Sequence, residues 1–591
     1  MHKIQEMEEF VIKRGDVFYQ PSPYQVEILK FAKYGVGNCF INACAGASKT
    51  TMLENILYQV PENKKKVFLA FNKSIVEEMQ NRVGDVKNLN ITTYHSLGYS
   101  ILKENFFGKT FDVDEEKYSS FVRNNINDIS SFHETRTLGR NYSTYINNVI
   151  HLIEYARYYL VSNEIGISTM ANKYGLNIVR DEIPVVKRVL QWGKSNIDVI
   201  DYTDMVWLVN ELNLTTQKYL YDTILIDEAQ DTSIMQQEMT ERCKRRGTRI
   251  FAVGDESQSI NIWCGSDMEA VRKFSGENVT TFKLPISYRC GKKIVKLAQR
   301  YSDNIVAPDD AHEGQINYEV PLFSPTDGDM VLCRNIAPLI EYRLKLLQVN
   351  KKCHMKGAED IVVKYVRHIN ECGSELIDKQ CCTCDGLIPK LYLKLFEIIK
   401  KLRGNGYTDE DAMCYPAVLD LYDDIQGLTI LSDNITTTNE LIKKINDIFM
   451  NKSTEGIILS TVHKSKGLEA DHVFILSPSL LPSPYAKKEW EKISERNLTY
   501  VAYTRARHSL NFIYEDERNN RSGSAMSMKK MTKKINEVME KLSFNQEYNI
   551  TEDTQKNTCK TATITLGENK PHFIPTNKKQ KKGGLKFSNI F

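Results

Sequence analysis

A chain of 591 residues with 41% hydrophobic and 26% charged side chains is too long for one hydrophobic core, and at roughly 150 residues per domain it reads as about four units of an ordinary globular protein. Its formal net charge of +3 is close to balance, which excludes a whole-molecule basic field, so a polyanion would have to be gripped in a local groove. No stretch approaches the roughly 18 uninterrupted apolar residues of a membrane span, the N-terminus MHKIQEMEEF is too charged for a signal peptide, and thirteen scattered cysteines do not make a secreted disulfide framework; the expectation is a protein that stays in the reducing compartment where it is made.

Along the chain, the first stretch that carries chemistry is ACAGASKTT, residues 43–51. A β-type run (Cys39, Phe40, Ile41) enters it, and Met52, Leu53, Ile56 and Leu57 leave it with helical spacing. Strand, tight turn and helix start together make an anion site, because the first helical N–H groups have no intrahelical acceptor. The usual phosphate loop reads G-x-x-x-x-G-K-[ST]; here Ala43 and Ser48 stand at the glycine positions, while Gly46, Lys49 and Thr50 remain. One reading is a working site in which a small serine is tolerated and its hydroxyl donates to a phosphate oxygen. The other is a slowed, degenerate site.

Residues 98–215 are rich in helical spacing, as in YINNVIHLIEYARYYL, and this apolar periodicity reads as core. In YDTILIDEAQDTS, the buried-strand residues Ile224, Leu225 and Ile226 deliver Asp227 and Glu228 at the strand's carboxyl end. Two acids there have separate uses: one holds Mg²⁺ and the other polarises an attacking water. IFAVGDESQSINIWCGSD repeats the pattern, with Gln258 placed to bond a terminal phosphate. Further on, CGSELIDKQCCTCD holds Cys372, Cys381, Cys382 and Cys384. Cys381 and Cys384 have C-x-x-C spacing, but only His368 and Cys372 offer themselves as a second pair, so reduced thiols in a small domain are the expectation over structural zinc.

After residue 518 the composition changes. MSMKKMTKKINEVMEKL reads as one helix, and the polar sequence beyond it carries six lysines and no acid after Glu568, a composition expected to be disordered and able to sample phosphate. Its last residues put Leu585, Phe587, Ile590 and Phe591 in seven positions. They read either as a frayed terminus or as a peptide that docks a hydrophobic pocket on a sliding clamp or single-strand-binding protein.

Nine motifs in order from residue 21 to residue 508 resemble superfamily 1 helicases of the UvrD/Rep/PcrA group: PSPYQVEILKFA, ACAGASKT, LAFNKSIVEEM, TTYHSLG, DEAQD, VGDESQSINIWCG, SYRC, LSTVHKSKGLEADHVFIL and RNLTYVAYTRAR. The resemblance implies an α/β fold of two RecA-like P-loop motor domains with parallel sheets, each carrying an inserted, mainly helical subdomain. The implied layout is 1–97 with 216–280 for the first motor domain, 98–215 for its insert, 281–345 with 454–517 for the second motor domain, 346–453 for its insert, and 518–591 for a C-terminal helix and basic tail. VLCRNIAPLIEYRLKLL looks like the family's strand and helix just before the second insert.

The resemblance also implies ATP and Mg²⁺ as cofactors. Gln25 would read adenine and Tyr288 stack on it. Ala45, Gly46, Ala47, Ser48, Lys49, Thr50 and Thr51 would cradle the phosphates, with Thr50 and Asp227 on the metal. Glu228 would orient water, Gln258 would sense the terminal phosphate, Arg289 and Arg505 would be arginine fingers, and Glu469 would approach the sugar. All of these side chains being present favours the working loop. Phe71, Tyr94, His95, Trp263 and His463 would line a single-strand groove, with Asn72, Lys73 and Lys464 on phosphates. Asn261 and Cys264 depart from the family's tyrosine and arginine, which removes one stacking face and one charge. TVHKSKGLE and GDESQSIN look like the 3′-to-5′ group more than the RecD/Dda group. The implied function is an ATP-dependent DNA helicase of replication, recombination or repair, acting in the cytoplasm at a nucleoid or host replication site; a phage or large virus would suit its compact layout. The alternative is an ATP-driven single-strand translocase or remodelling scaffold without processive unwinding. A nuclease fusion is discounted, because the C-terminal stretch is too short and too poor in acids.

Overall fold

The computed structural model describes residues 10–14, 17–84, 86–130, 142–174, 176, 178, 181–260, 279–404, 407–450, 455–514 and 531–542. Runs such as Val67 to Ala70 and Thr223 to Ile226 are buried without alternation, the pattern of parallel strands covered on both faces. They belong to a sheet of β1 (Asn38–Ala43), β2 (Lys66–Ala70), β3 (Leu89–Thr93), β4 (Tyr221–Ile226), β5 (Lys244–Gly254) and β6 (Val279–Leu284). A second sheet contains β7 (Gln315–Asn317), β8 (Met330–Cys333), β9 (Cys353–Met355), β10 (Ile457–Thr461), β11 (Ala470–Leu476) and β12 (Ala506–Ile513). The strand orders are β6-β1-β5-β4-β2-β3 and β7-β12-β11-β8-β10-β9. Every ladder in both sheets is parallel. This is the expected α/β architecture of two RecA-like motor domains.

On the first sheet pack α1 (Pro23–Tyr34), α2 (Lys49–Gln59), α3 (Lys73–Val83) and α4 (Tyr94–Asn105). Between β3 and β4 lies a helical insert of α5 (Lys117–Ile129), α6 (Tyr142–Tyr158), α7 (Glu164–Tyr174), α8 (Glu182–Ser195) and α9 (Tyr202–Glu211). α10 (Ile234–Arg242) joins β4 to β5, and α11 (Lys292–Ala298) and α12 (Ile336–Gln348) serve the second sheet. Between β9 and β10 is a second helical insert of α13 (Ala358–Cys372), α14 (Leu387–Gly404), α15 (Asp409–Met413), α16 (Pro416–Leu431) and α17 (Thr438–Phe449), and α18 (Glu489–Tyr503) precedes β12.

Two strands fall across the expected boundaries. β6 pairs with β1 along its whole length, from Val279 beside Asn38 to Leu284 beside Ala43, so the first sheet extends past residue 280. β9 pairs with β10, so the second sheet reclaims residues after 345. In both places backbone pairing decides which unit a strand joins, and no side-chain pattern announces that.

One cluster of buried side chains runs across both motor domains, from Ile41 and Phe251 to Val473 and Tyr500. The first insert covers the other face of the first sheet through Val149 and Trp207 against Val67 and Ile224. The second insert does the same for the second sheet through Leu391 and Ile425 against Val331 and Leu459. The C-terminal helix, 531–542, joins that last core: Met531, Ile535 and Leu542 are buried in it, and Lys534 Nζ donates to Gln426 Oε1 at 3.0 Å. Three such side chains are worth roughly 1.5–3 kcal/mol each.

Candidate nucleotide and nucleic-acid sites

The phosphate loop leaves β1 and enters α2. Gly46 sits at φ 76°, and a Cβ there would lie 2.6 Å from Arg289 Cβ and 2.8 Å from Ser287 Oγ, so no larger residue fits. Ser48 occupies the left-handed region as well, at φ 61° and ψ 46°, and its side chain makes no capping hydrogen bond to α2. An L-residue there costs roughly 1–2 kcal/mol; the loop keeps the shape that a glycine would relax into. Lys49 and Thr50 follow in the first helical turn, where N–H groups lack intrahelical acceptors and the helix dipole favours anions.

The acids at the end of β4 meet this turn. Thr50 Oγ1 donates to Asp227 Oδ2 at 2.8 Å, and Lys49 Nζ lies 3.6 Å from Glu228 Oε2. Burial, then the charge of Glu228, raises the Asp227 carboxyl above its ordinary range. Burial works against the Glu228 carboxylate too, but Lys49, Lys466, the Gln230 amide and Arg505 outweigh it and hold Glu228 ionised. A hydroxyl and a carboxylate 2.8 Å apart, both oxygen donors, form a set suited to a hard divalent cation, with an ionised carboxylate beside it to orient water.

The second motor domain closes over the loop. The Tyr288 N–H donates to the Gly46 carbonyl at 3.0 Å, and the Ala45 N–H donates to the Tyr500 hydroxyl at 3.1 Å. Arg289 pairs with Glu469 and donates from Nη1 to the Thr504 carbonyl at 3.1 Å. Arg505 is 2% exposed; its Nη2 donates to Gln258 Oε1 at 3.4 Å, while Gln258 Nε2 donates to Asp255 Oδ2 at 2.6 Å. Burial and the charge of Arg289 lower the Arg505 guanidinium to about 10, a destabilised cation that an incoming phosphate would relieve.

Several expected contacts are otherwise engaged. The Ala47 N–H donates to the Cys44 carbonyl at 3.2 Å, Thr51 Oγ1 accepts from Arg82 Nη2 at 2.8 Å, and the Ala45 N–H is taken by Tyr500, so these three brace the loop instead of presenting those groups to phosphate. Glu469 pairs with Arg289 and with Arg507, the latter at 2.6 Å. Gln25 is buried at the start of α1, where its Oε1 accepts from the Ser22 N–H at 2.9 Å. Tyr288 is 52% exposed, open to stack on a base. Lys466 was not among the expected residues: it pairs with Asp231 and donates to the Gln258 carbonyl at 3.0 Å, bridging the two motor domains. The second lysine of HKSKG was the signal available for it.

Among the nucleic-acid candidates, Phe71 is 44% exposed, Asn72 caps α3 by accepting from the Ile75 N–H at 3.0 Å, and Lys73 is exposed. Tyr94 requires correction: it is 4% exposed, and its hydroxyl pairs with Thr240 Oγ1 at 3.1 Å, because the β3–α4 junction turns it beneath α10. His95 is half-buried against Tyr202, and burial lowers its pKa. Burial and Arg334 push the His463 imidazole down to about 3, so its ring is neutral. Lys464 pairs with Asp360 of α13. Trp263, Asn261, Cys264 and the apolar set Leu585, Phe587, Ile590 and Phe591 lie outside the described residues. No group of three or more His, Cys, Asp or Glu side chains able to hold a metal occurs among the described residues, and His368 bonds Asp424 at 3.1 Å. A cavity of about 700 Å³ opens between the two inserts and the second sheet, lined by Tyr155, Tyr174, Arg334, Tyr415, His463 and Trp490 among others.

Residues 25–278 match the UvrD/REP helicase N-terminal domain and residues 456–513 the UvrD-like helicase C-terminal domain. The chain belongs to the UvrD/Rep helicase family. The ATP-dependent DNA helicase Rep of Buchnera aphidicola is 24% identical over 295 residues, 45% of this chain and 42% of that protein. A probable DNA helicase II homolog of Rickettsia felis is 25% identical over 319 residues, 50% of this chain and 46% of its own. A homolog of the same description from Mycoplasma genitalium is 23% identical over 598 residues, covering 80% of this chain and 82% of its own. The chain thus spans less than half the length of the first relatives. No described helix is long and apolar enough to cross a membrane.

Proposed function

We propose that this protein is an ATP-driven DNA helicase that moves 3′ to 5′ on single-stranded DNA in replication, recombination or repair. The observation that carries this reading is the convergence of Lys49, Thr50, Asp227, Glu228, Gln258, Arg289 and Arg505 on one cleft shared by two RecA-like sheets. Hydrolysis there is mostly positioning and charge neutralisation. Lys49 exchanges Glu228 for phosphate oxygens, and Arg289 and Arg505 approach the terminal phosphate from the second domain, so catalysis depends on cleft closure. Thr50 and Asp227 would hold Mg²⁺, whose charge when bound offsets that of the phosphates. Glu228, kept ionised by the surrounding cations, orients the water and accepts its proton.

Tyr288 offers an exposed face to the adenine. The strand runs past Phe71 and Lys73 toward the cavity between the inserts, where half-buried Trp490 lies in the lining. Work is divided between motor units at 1–97 with 216–284 and 285–355 with 454–517, inserts between them, and a basic tail whose Leu585, Phe587, Ile590 and Phe591 dock on a replication partner. The test is ATP hydrolysis with and without single-stranded DNA beside Glu228→Gln, followed by unwinding of 3′-tailed and 5′-tailed duplexes. DNA-stimulated hydrolysis lost in the variant, with unwinding from 3′ tails only, is the expected result. Hydrolysis without strand separation would favour the translocase alternative, and none would refute the reading.

A further inference from the structure

The loop helix α2 and the helix α3 are joined by a buried ion pair that the catalytic set does not use. Glu54, fully buried on α2, accepts two hydrogen bonds from Arg82 of α3, at 3.2 Å from Nε and 2.6 Å from Nη2. The same Nη2 donates to Thr51 Oγ1 at 2.8 Å, one residue after the expected metal-holding Thr50. Glu78 steadies the guanidinium from one turn earlier at 3.0 Å, and Tyr58 donates to the other Glu54 oxygen at 3.3 Å. Both N–H groups converge on one oxygen, Glu54 Oε2, while the same Nη2 also reaches Thr51, and together these contacts fix the plane of the guanidinium as well as its distance. Burying it is costly unless the geometry is held this closely.

α3 is a straight piece of chain with different business at its two ends. Its start carries exposed Phe71, the Asn72 cap and exposed Lys73, and its last turn carries Arg82. Nine residues at 1.5 Å rise put about 14 Å between Lys73 and Arg82, and the helix between them contains no Gly or Pro to break it; in the coupling inferred below it transmits as one piece. Any shift of its start when a strand is gripped is therefore delivered to the first two turns of α2, directly behind Lys49 and Thr50.

We propose that Arg82 is a positioning residue that couples single-strand contact at the start of α3 to the phosphate loop, by holding Glu54 and Thr51. This rests on the DNA-stimulated motor proposed above. Removing Arg82 alone strands a buried carboxylate and threatens folding, so the decisive variant is Glu54→Met with Arg82→Met, which replaces the pair by apolar side chains of similar length. Arg82→Lys keeps the charge and loses the fork.

The experiment measures kcat and KM for ATP with and without oligo-deoxythymidine on the intact chain, together with its melting temperature. The double variant is expected to melt near the wild type and keep its DNA-free hydrolysis while losing about ten-fold in DNA stimulation, with Arg82→Lys between the two. Stimulation undiminished in the double variant would overturn the coupling alone, as would an equal fall in basal and stimulated rates, which is what a merely structural pair gives. A wild type that hydrolyses ATP without responding to DNA would overturn both the coupling and the motor reading.

Discussion

Replacing Ser48 by glycine removes a side chain from a residue held at φ 61° and ψ 46°. The left-handed region costs an L-residue roughly 1–2 kcal/mol, and the Ser48 hydroxyl caps nothing in α2 that would offset this. Against the relief stands the extra freedom that glycine gives the unfolded chain, about 0.5–1 kcal/mol. The net gain lies between about 0 and 1.5 kcal/mol, which for a domain of this size is a rise of at most about 6 °C in melting temperature. Ser48→Ala separates strain from hydroxyl chemistry: it keeps the backbone penalty and loses the oxygen. Thermal unfolding of the three proteins, with and without a non-hydrolysable ATP analogue, reads both effects. Glycine is expected to be the most stable and alanine to equal serine without nucleotide. If the hydroxyl meets a phosphate, the analogue will shift serine further than alanine. A glycine variant that melts below the wild type would refute the strain argument, and would mean that the serine supports the loop in a way its geometry does not reveal.

Glu228→Gln should lower kcat by about two orders of magnitude or more, since it removes the proton acceptor, while ATP binding measured by fluorescent analogue titration persists. Tyr94→Phe should cost about 0.5–1.5 kcal/mol in urea unfolding through the lost bond to Thr240; an unchanged unfolding midpoint would refute that bond's contribution. Asp423 accepts from the Ile336 N–H at 2.8 Å, yet burial and then Asp424 raise its carboxyl to about 6. Its folded pKa lies above the unfolded value, so its contribution to stability is fully present below about pH 4 and is lost as pH rises toward 6. Asp423→Asn should therefore stabilise at pH 7.5, by up to about 3 kcal/mol, and do nothing at pH 4; equal melting shifts at both would contradict this.

The candidate nucleotide site was legible as a cluster because it sits at strand ends: an apolar run followed at once by Asp227 and Glu228, or by Asp255 and Gln258, announces both the strand and the cleft it opens on. Tyr94 was misread for the converse reason. An aromatic residue at a strand-to-helix junction faces groove or core according to the helix above it, and α10 is 140 residues further on. The Ser22 and Gln25 capping box is readable from S-x-x-Q at the start of α1. Lys466, the Arg82 grip and the true homes of β6 and β9 depend on pairings between distant segments, and local periodicity is blind to those.

The docking of 531–542 on the second insert changes what the C-terminal region can be used for. A fluorophore or tag attached just after Leu542 rides on that insert and not on the sheet that ends at Ile513, so paired with a dye on the first insert it would report the distance between the inserts directly. By the same geometry, truncation before Met531 strips three side chains from the core shared by the second insert and the second sheet. Cutting after Leu542 instead removes the basic tail and keeps those three side chains, so the two truncations together separate the footing of the insert from the work of the tail.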